Sequence, residues 1–379
     1  MTILPPPRAA YVHVPFCRHR CGYCNFTLVA GRDDLVGDYL RAIELELQLL
    51  EHPREVDTLF FGGGTPTHLA LDALETLLES VARWFPLAPE GEFSVEANPA
   101  DLTSEKIALL AAHGVTRLSL GGQSFDAKKL ALLERDHDAE SLVRGVALAR
   151  RQIASVSLDL IFGTPGETLD VWQHDLQSGL ALVPQHVSTY GLTFERGTPY
   201  WSRLLEGELQ RLDEETEQVM YALAIDSLTA AGFEHYEVSN FAQPGHRCRH
   251  NEVYWSGDGY YAVGPGAASY VDGRRAMNHR STTTYLKRVL AGQSPVAESE
   301  TLAPADRARE LLVFGLRRLE GVDRRQFAER TGLELDALVM PQLGDLVAHG
   351  LLSDDGDRVR LTRAGLFVSD AIWPKFLRK

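Results

Sequence analysis

Six times in its first 200 residues this chain passes from an apolar, β-rich stretch into an amphipathic one, and that alternation constrains its architecture more than any other feature. Strand patterns cover residues 11–14, 56–61, 92–96, 116–120, 156–162 and 186–192. Helical spacing of apolar residues covers 33–50, 71–84, 104–113, 127–134, 139–151 and 169–182. Strands alternating with helices build βαβ units around a parallel sheet. Six units predict an α/β fold, an incomplete (β/α)6 barrel. Thr103 stands where the helix after the third strand needs an N-cap. In such folds the functional site gathers at the carboxyl ends of the strands.

The residues at those ends are distinctive. The first strand runs into Cys17, Cys21 and Cys24, spaced C-x3-C-x2-C. Three thiolates so close together suit a soft metal centre. One reading is a cubane iron–sulfur cluster with one iron left open to an exogenous ligand. The others are a zinc knuckle completed by His13, His19 or Cys248, since structural zinc takes four ligands, or three unrelated buried thiols. The second strand ends in Gly62-Gly63-Gly64-Thr65, where a ligand can approach bare backbone. Glu96 and Asn98 close the third, Gln123 the fourth, and Asp159 lies in the fifth. With Arg135, the three residues Glu96, Gln123 and Asp159 could satisfy the ammonium, carboxylate and hydroxyl groups of a small zwitterion. Tyr11 and Tyr23 could shield a cluster or stack on a base.

Composition sets the outer bounds. A net charge of −14 argues against a nucleic-acid partner. Four cysteines, three of them clustered, suit a metal centre in a reducing compartment rather than a disulfide framework. No apolar run approaches membrane-spanning length. The start, Met1 to Pro7, reads as a stiff lead-in rather than a secretory signal. The expected location is the cytoplasm, with membrane contact only through a partner.

Residues 1–235 resemble the radical S-adenosylmethionine (SAM) superfamily, on the cysteine spacing and Gly62-Gly63-Gly64-Thr65-Pro66. That resemblance implies a [4Fe-4S] cluster on Cys17, Cys21 and Cys24, with SAM at its open iron. Tyr11 to Cys17, Phe61 to Thr67, Glu96-Ala97-Asn98-Pro99, Gly122-Gln123-Ser124-Phe125 and Asp159 to Gly163 narrow it to the oxygen-independent coproporphyrinogen oxidase group. On that likeness SAM contacts fall on Tyr11, Gly64, Thr65, Glu96, Gln123, Arg135 and Asp159. Members that oxidise coproporphyrinogen III carry a fourth cysteine two residues past the third, where this chain has Phe26.

Phe26 instead matches the related heme chaperone family, HemW. His250-Asn251-Glu252-Val253-Tyr254-Trp255 fits that family's H-N-x-x-Y-W motif, which the resemblance associates with heme. His250 is a natural axial ligand, and Tyr254 and Trp255, beside Asn251, offer flat contact to a porphyrin. The other reading of the motif is a structural loop with a buried histidine. Cys248 and His246 read as incidental. The implied function is a carrier that passes heme to acceptor proteins, with homodimer formation as a family expectation. The alternatives are radical oxidative decarboxylation of coproporphyrinogen III and another radical SAM reaction.

Beyond the barrel the sequence divides into a Gly-, Tyr- and Trp-rich segment, 236–302, expected at the barrel mouth, and a C-terminal domain, 303–379. Helical patterns at 306–318, 323–330 and 334–349, then a hairpin at 352–361, predict a mainly helical, winged-helix-like layout. Asp354, Asp355 and Asp357 in the wing make it a lid or interaction module rather than a DNA reader.

Overall fold

A computed structural model of the protein describes residues 6–377; most of the predicted lead-in, residues 1–5, lies outside them. The six expected units are all present. Strands β1 (Ala9–Val14), β2 (Val56–Gly63), β3 (Leu87–Ala97), β4 (Arg117–Gln123), β5 (Ser155–Phe162) and β6 (His186–Gly191) lie side by side, every neighbouring pair parallel. Helices α1 (Val36–Gln48), α2 (Leu71–Trp84), α3 (Ser104–Ala112), α4 (Ala127–Leu132), α5 (Ala139–Ala149) and α6 (Leu169–Ala181) connect them. Side chains sort by alternation along each strand. In β5, Leu158 and Leu160 pack on Gly179 of α6, while Asp159 between them meets Ser119 of β4 on the opposite, lumenal face. Short polar side chains cap the helices where the chain leaves the strand ends. Thr103, Asp126, Asp138 and Thr168 each accept a first-turn amide.

The sheet extends past the six strands. After helices α7 (Pro199–Leu205) and α8 (Glu214–Ala230), strands β7 (Glu234–Glu237) and β8 (Asn240–Ala242) add an antiparallel hairpin beside β6. At the other edge β9 (Tyr261–Val263) lies parallel to β1, giving the order β9-β1-β2-β3-β4-β5-β6-β8-β7. The barrel is thus an open, nine-stranded sheet. Between its edges runs α9 (Arg249–Ser256), which carries the H-N-x-x-Y-W residues as a helix. A small antiparallel sheet of 268–271, 274–278 and 296–300 follows, with a helix at Thr282–Leu290 between its last two strands.

The C-terminal part opens with Pro304–Arg317 and has the expected winged-helix-like layout, its three-stranded sheet built from 322–323, 352–354 and 358–361. One helix divides in two. The pattern over 334–349 predicted a single helix, but Leu335–Val339 and Gln342–Ala348 flank Met340-Pro341, because the residue before a proline is driven out of helical conformation. No helix among the described residues is long and apolar enough to cross a membrane.

Candidate functional site

The cysteine loop is held by protein groups along its length. Phe16–Cys17 pairs with Val29–Ala30, which fixes both ends. Arg20 donates to the carbonyls of Cys24, Phe26 and Leu28 at 3.5, 3.4 and 3.1 Å. Gly22 is required where it stands, since a Cβ there would lie 2.5 Å from the Tyr200 ring. Cys17 and Cys21 are buried and Cys24 half-buried. Burial pushes the Cys17 thiol up to about 12 and raises those of Cys21 and Cys24, so thiolate formation needs a cation to offset it. Thr65 Oγ1 lies 3.3 Å from Cys17 Sγ. Arg135 Nη1 and His19 Nε2 each lie 3.7 Å from Cys21 Sγ.

All three cysteines open onto one cavity of about 510 Å³ at the carboxyl ends of the strands. Its walls also carry Gly64, Thr65, Glu96, Gln123, Arg135 and Asp159, so six of the seven residues implied for SAM converge there. Gly63 has φ +110°, and a Cβ on it would collide with the His13 ring. On Gly64 a Cβ would lie 2.7 Å from the Phe16 carbonyl oxygen. Those two positions admit only bare backbone. The Gly63 amide donates to Glu96 Oε2 at 3.0 Å. Burial pushes the Glu96 carboxyl up to about 7, and the nearby Asp159 adds to the rise. Asp159 is itself raised by burial, although Ser119 Oγ donates to it at 3.1 Å.

Arg135 crosses the cavity wall. Its Nη2 donates to the Gly121 carbonyl at 2.8 Å, while its buried Nε has no partner among the described residues. Two carboxylates short of positive charge, a guanidinium with a free donor and a side-chain-free backbone cradle fit a small zwitterion. Three clustered thiols that open onto the same cavity suit a soft metal centre. Of the three residues that could complete a zinc knuckle, His19 lies beside Cys21 and the other two are placed elsewhere. His13 is engaged by Tyr11 and by the Thr27 carbonyl at 2.7 Å, and Cys248 lies at the far end of the lumen beside Glu92.

Two placements differ from expectation. Tyr11 does not line the cavity; its ring stacks on Phe60 below the glycines, and its hydroxyl lies 3.1 Å from His13 Nδ1. The 250–255 motif is not at the mouth. His250 Nδ1 meets Thr58 Oγ1 at 2.9 Å, and the backbone amides of Arg249 and His250 donate to Glu92 at 3.0 and 3.1 Å. Thr58 and Glu92 face each other well before the carboxyl ends of β2 and β3. The motif therefore sits toward the opposite end of the lumen from the cysteines. Burial lowers the His250 imidazole to about 3. Its Nε2 is also engaged, by the Tyr254 hydroxyl at 2.8 Å. Trp255 lies under the Arg317 guanidinium, 4.3 Å away, and Asn251 is half-buried on the same helix. Sequence reasoning missed Ser119, Asp136 and Tyr190 in the cavity wall. Lumenal alternation from Asp159 and Gly121 would have found Ser119.

Comparison with known proteins agrees with this geometry. The model of the radical SAM superfamily matches residues 11–178, and that of the HemN C-terminal domain matches 302–368. A heme chaperone HemW of Bacillus subtilis is 34% identical over 375 residues, covering 98% of this chain and 99% of the relative. The HemW of Escherichia coli is 33% identical, with 98% of each chain covered. Among solved structures, the coproporphyrinogen III oxidase HemN of Escherichia coli superposes with a TM-score of 0.87, covering 98% of this chain and 90% of that one. At 22% identity this likeness speaks to fold. With the three-cysteine loop, Phe26 and near-complete coverage by HemW proteins, the chain belongs to the HemW heme chaperone family of the radical SAM superfamily.

Proposed function

We propose that this protein binds heme and hands it to acceptor proteins, using a barrel that carries a [4Fe-4S] cluster and SAM. The observation that carries the reading is the shared cavity: three cysteines and six SAM-type residues meet in it, and Phe26 stands at its rim, 59% exposed, in place of a fourth cysteine. Cys17, Cys21 and Cys24 would hold the cluster. Gly64 and Thr65 would present backbone to the methionine part of SAM, and Glu96 and Asp159 would face its positive charge. Arg135 would turn its free Nε to the carboxylate, with Gln123 beside it. When bound, a reduced cluster of this kind can deliver an electron to the carbon–sulfur bond of SAM. The residues of this chain orient the ligand, balance its charge and keep water from it.

Residues 1–235 then form the cofactor barrel, 236–302 carry the heme motif with His250, Asn251, Tyr254 and Trp255, and 303–379 contact partners. Four free cysteines support work in the reducing cytoplasm. The test is an anaerobic hemin titration of the cluster-loaded protein with SAM, followed by product analysis. A Soret shift that saturates near one heme per chain supports the reading. Protoporphyrinogen formed from coproporphyrinogen III, without hemin binding, overturns it in favour of the oxidase.

A further inference from the structure

The motif helix α9 is gripped at both ends. At its start Cys248 supplies no side-chain cap. The buried Glu92 replaces it, receiving the amides of Arg249 and His250 and the Cys248 thiol at 3.7 Å. At its end the last carbonyls turn to arginines of the C-terminal part. Arg330 donates to the Ser256 carbonyl at 2.8 Å and to Asp258 at 2.9 Å. Arg307 donates to the Gly257 carbonyl, and Arg318 donates to Ser256 Oγ at 3.4 Å. Arg317 covers the Trp255 ring. Cationic donors at the carboxyl end of a helix also complement its dipole. Held this way, His250 is 1% exposed, stacks on Phe60 and spends both ring nitrogens on protein groups. No iron can be ligated by an imidazole so engaged. The docked state also leaves a group unmet: the buried Trp255 Nε1 has no acceptor among the described residues.

We propose that the C-terminal part is a clamp that withholds His250, and that heme iron reaches this imidazole only when α9 turns out of the lumen. The inference rests on the heme-carrier reading and adds its regulation. Loosening either end of α9 raises the rate of heme capture. The arginines act through the helix, so they are positioning residues. Arg330 and Asp258 are both half-exposed, so that contact is the readiest to open.

Two variants of the full-length, cluster-loaded protein test this from opposite ends: Arg318→Ala with Arg330→Ala, and Glu92→Gln. Iron content equal to wild type reports an intact barrel. Hydrogen exchange over residues 249–256 is read by mass spectrometry, and hemin association by stopped flow. The expected result is exchange at least tenfold faster in both variants and hemin association faster by a similar factor, with the gain abolished when His250→Ala is added. Unchanged exchange, or faster exchange with an unchanged hemin rate, overturns the clamp alone. Hemin binding by neither wild type nor variants overturns the heme-carrier reading and the clamp together.

Discussion

Glu96 gives ligand capture a pH dependence whose size can be worked out. Its carboxyl is raised to about 7 by burial, against the pull of the Gly63 amide. About nine-tenths of the sites therefore carry the carboxylate at pH 8, and about one-tenth at pH 6. A ligand cation needs the carboxylate, so a bound proton must leave as the ligand arrives. Affinity then rises with pH, about tenfold between pH 6 and pH 8, or ~1.4 kcal/mol. Glu96→Gln keeps an acceptor for the Gly63 amide and removes the charge. It should bind SAM more weakly than wild type at pH 8, and the wild-type advantage should shrink about tenfold on going to pH 6. The ligand's own amino group titrates near ~7.7–8.0, and the Gln variant supplies the baseline for that. Calorimetry in two buffers of different ionisation enthalpy measures the released proton directly, about half a proton per site at pH 7 in wild type alone. Identical pH profiles and proton counts for the two proteins would refute the assignment of Glu96 as the ligand's counter-charge.

Other outcomes follow from single contacts. Replacing Cys17, Cys21 and Cys24 together with Ala should abolish iron after anaerobic reconstitution, as read by iron assay and absorbance. Gly63→Ala forces a side chain onto φ +110° and into the His13 ring; thermal denaturation should show a loss of at least about 2 kcal/mol, together with impaired SAM binding. Lys129 is buried between Glu167 at 2.5 Å and Asp175 at 2.9 Å. Lys129→Met strands both carboxylates and should cost about 3–5 kcal/mol in urea denaturation, and adding Glu167→Gln and Asp175→Asn should restore part of it. Tyr11→Phe should change SAM affinity less than twofold in equilibrium dialysis, because Tyr11 lies behind the cavity wall.

The barrel was legible because its signals are local. Helix Leu71–Trp84 begins and ends where its apolar spacing says, and Thr103 caps the helix it precedes. The cavity was legible because each strand end contributes a residue whose polarity or lack of a side chain has no packing purpose. Helix α9 was not. Arg-His-Asn-Glu-Val-Tyr-Trp-Ser has weak helical propensity, and the carboxylate that caps it, Glu92, lies 158 residues before His250. Strand β9 is three residues long, too short to show a period, and it is fixed by β1 on the far side of the chain. The break at Met340-Pro341 could have been read, since the proline is in plain view. Tyr11 was misplaced because family likeness assigns a position along a strand but not the depth of its side chain within a lumen.

The held cysteine loop bears on how the protein is loaded. Fixing a backbone residue costs about 1–2 kcal/mol in conformational entropy. Over the segment from Cys17 to Cys24 the fold meets much of that cost with contacts that involve no metal: the pairing of Phe16–Cys17, the Arg20 fork and the Tyr200 ring against Gly22. The loop is thus shaped by the fold itself, as a socket rather than a strand that must wrap its cargo. A preassembled cluster of the kind proposed would dock onto it in one step.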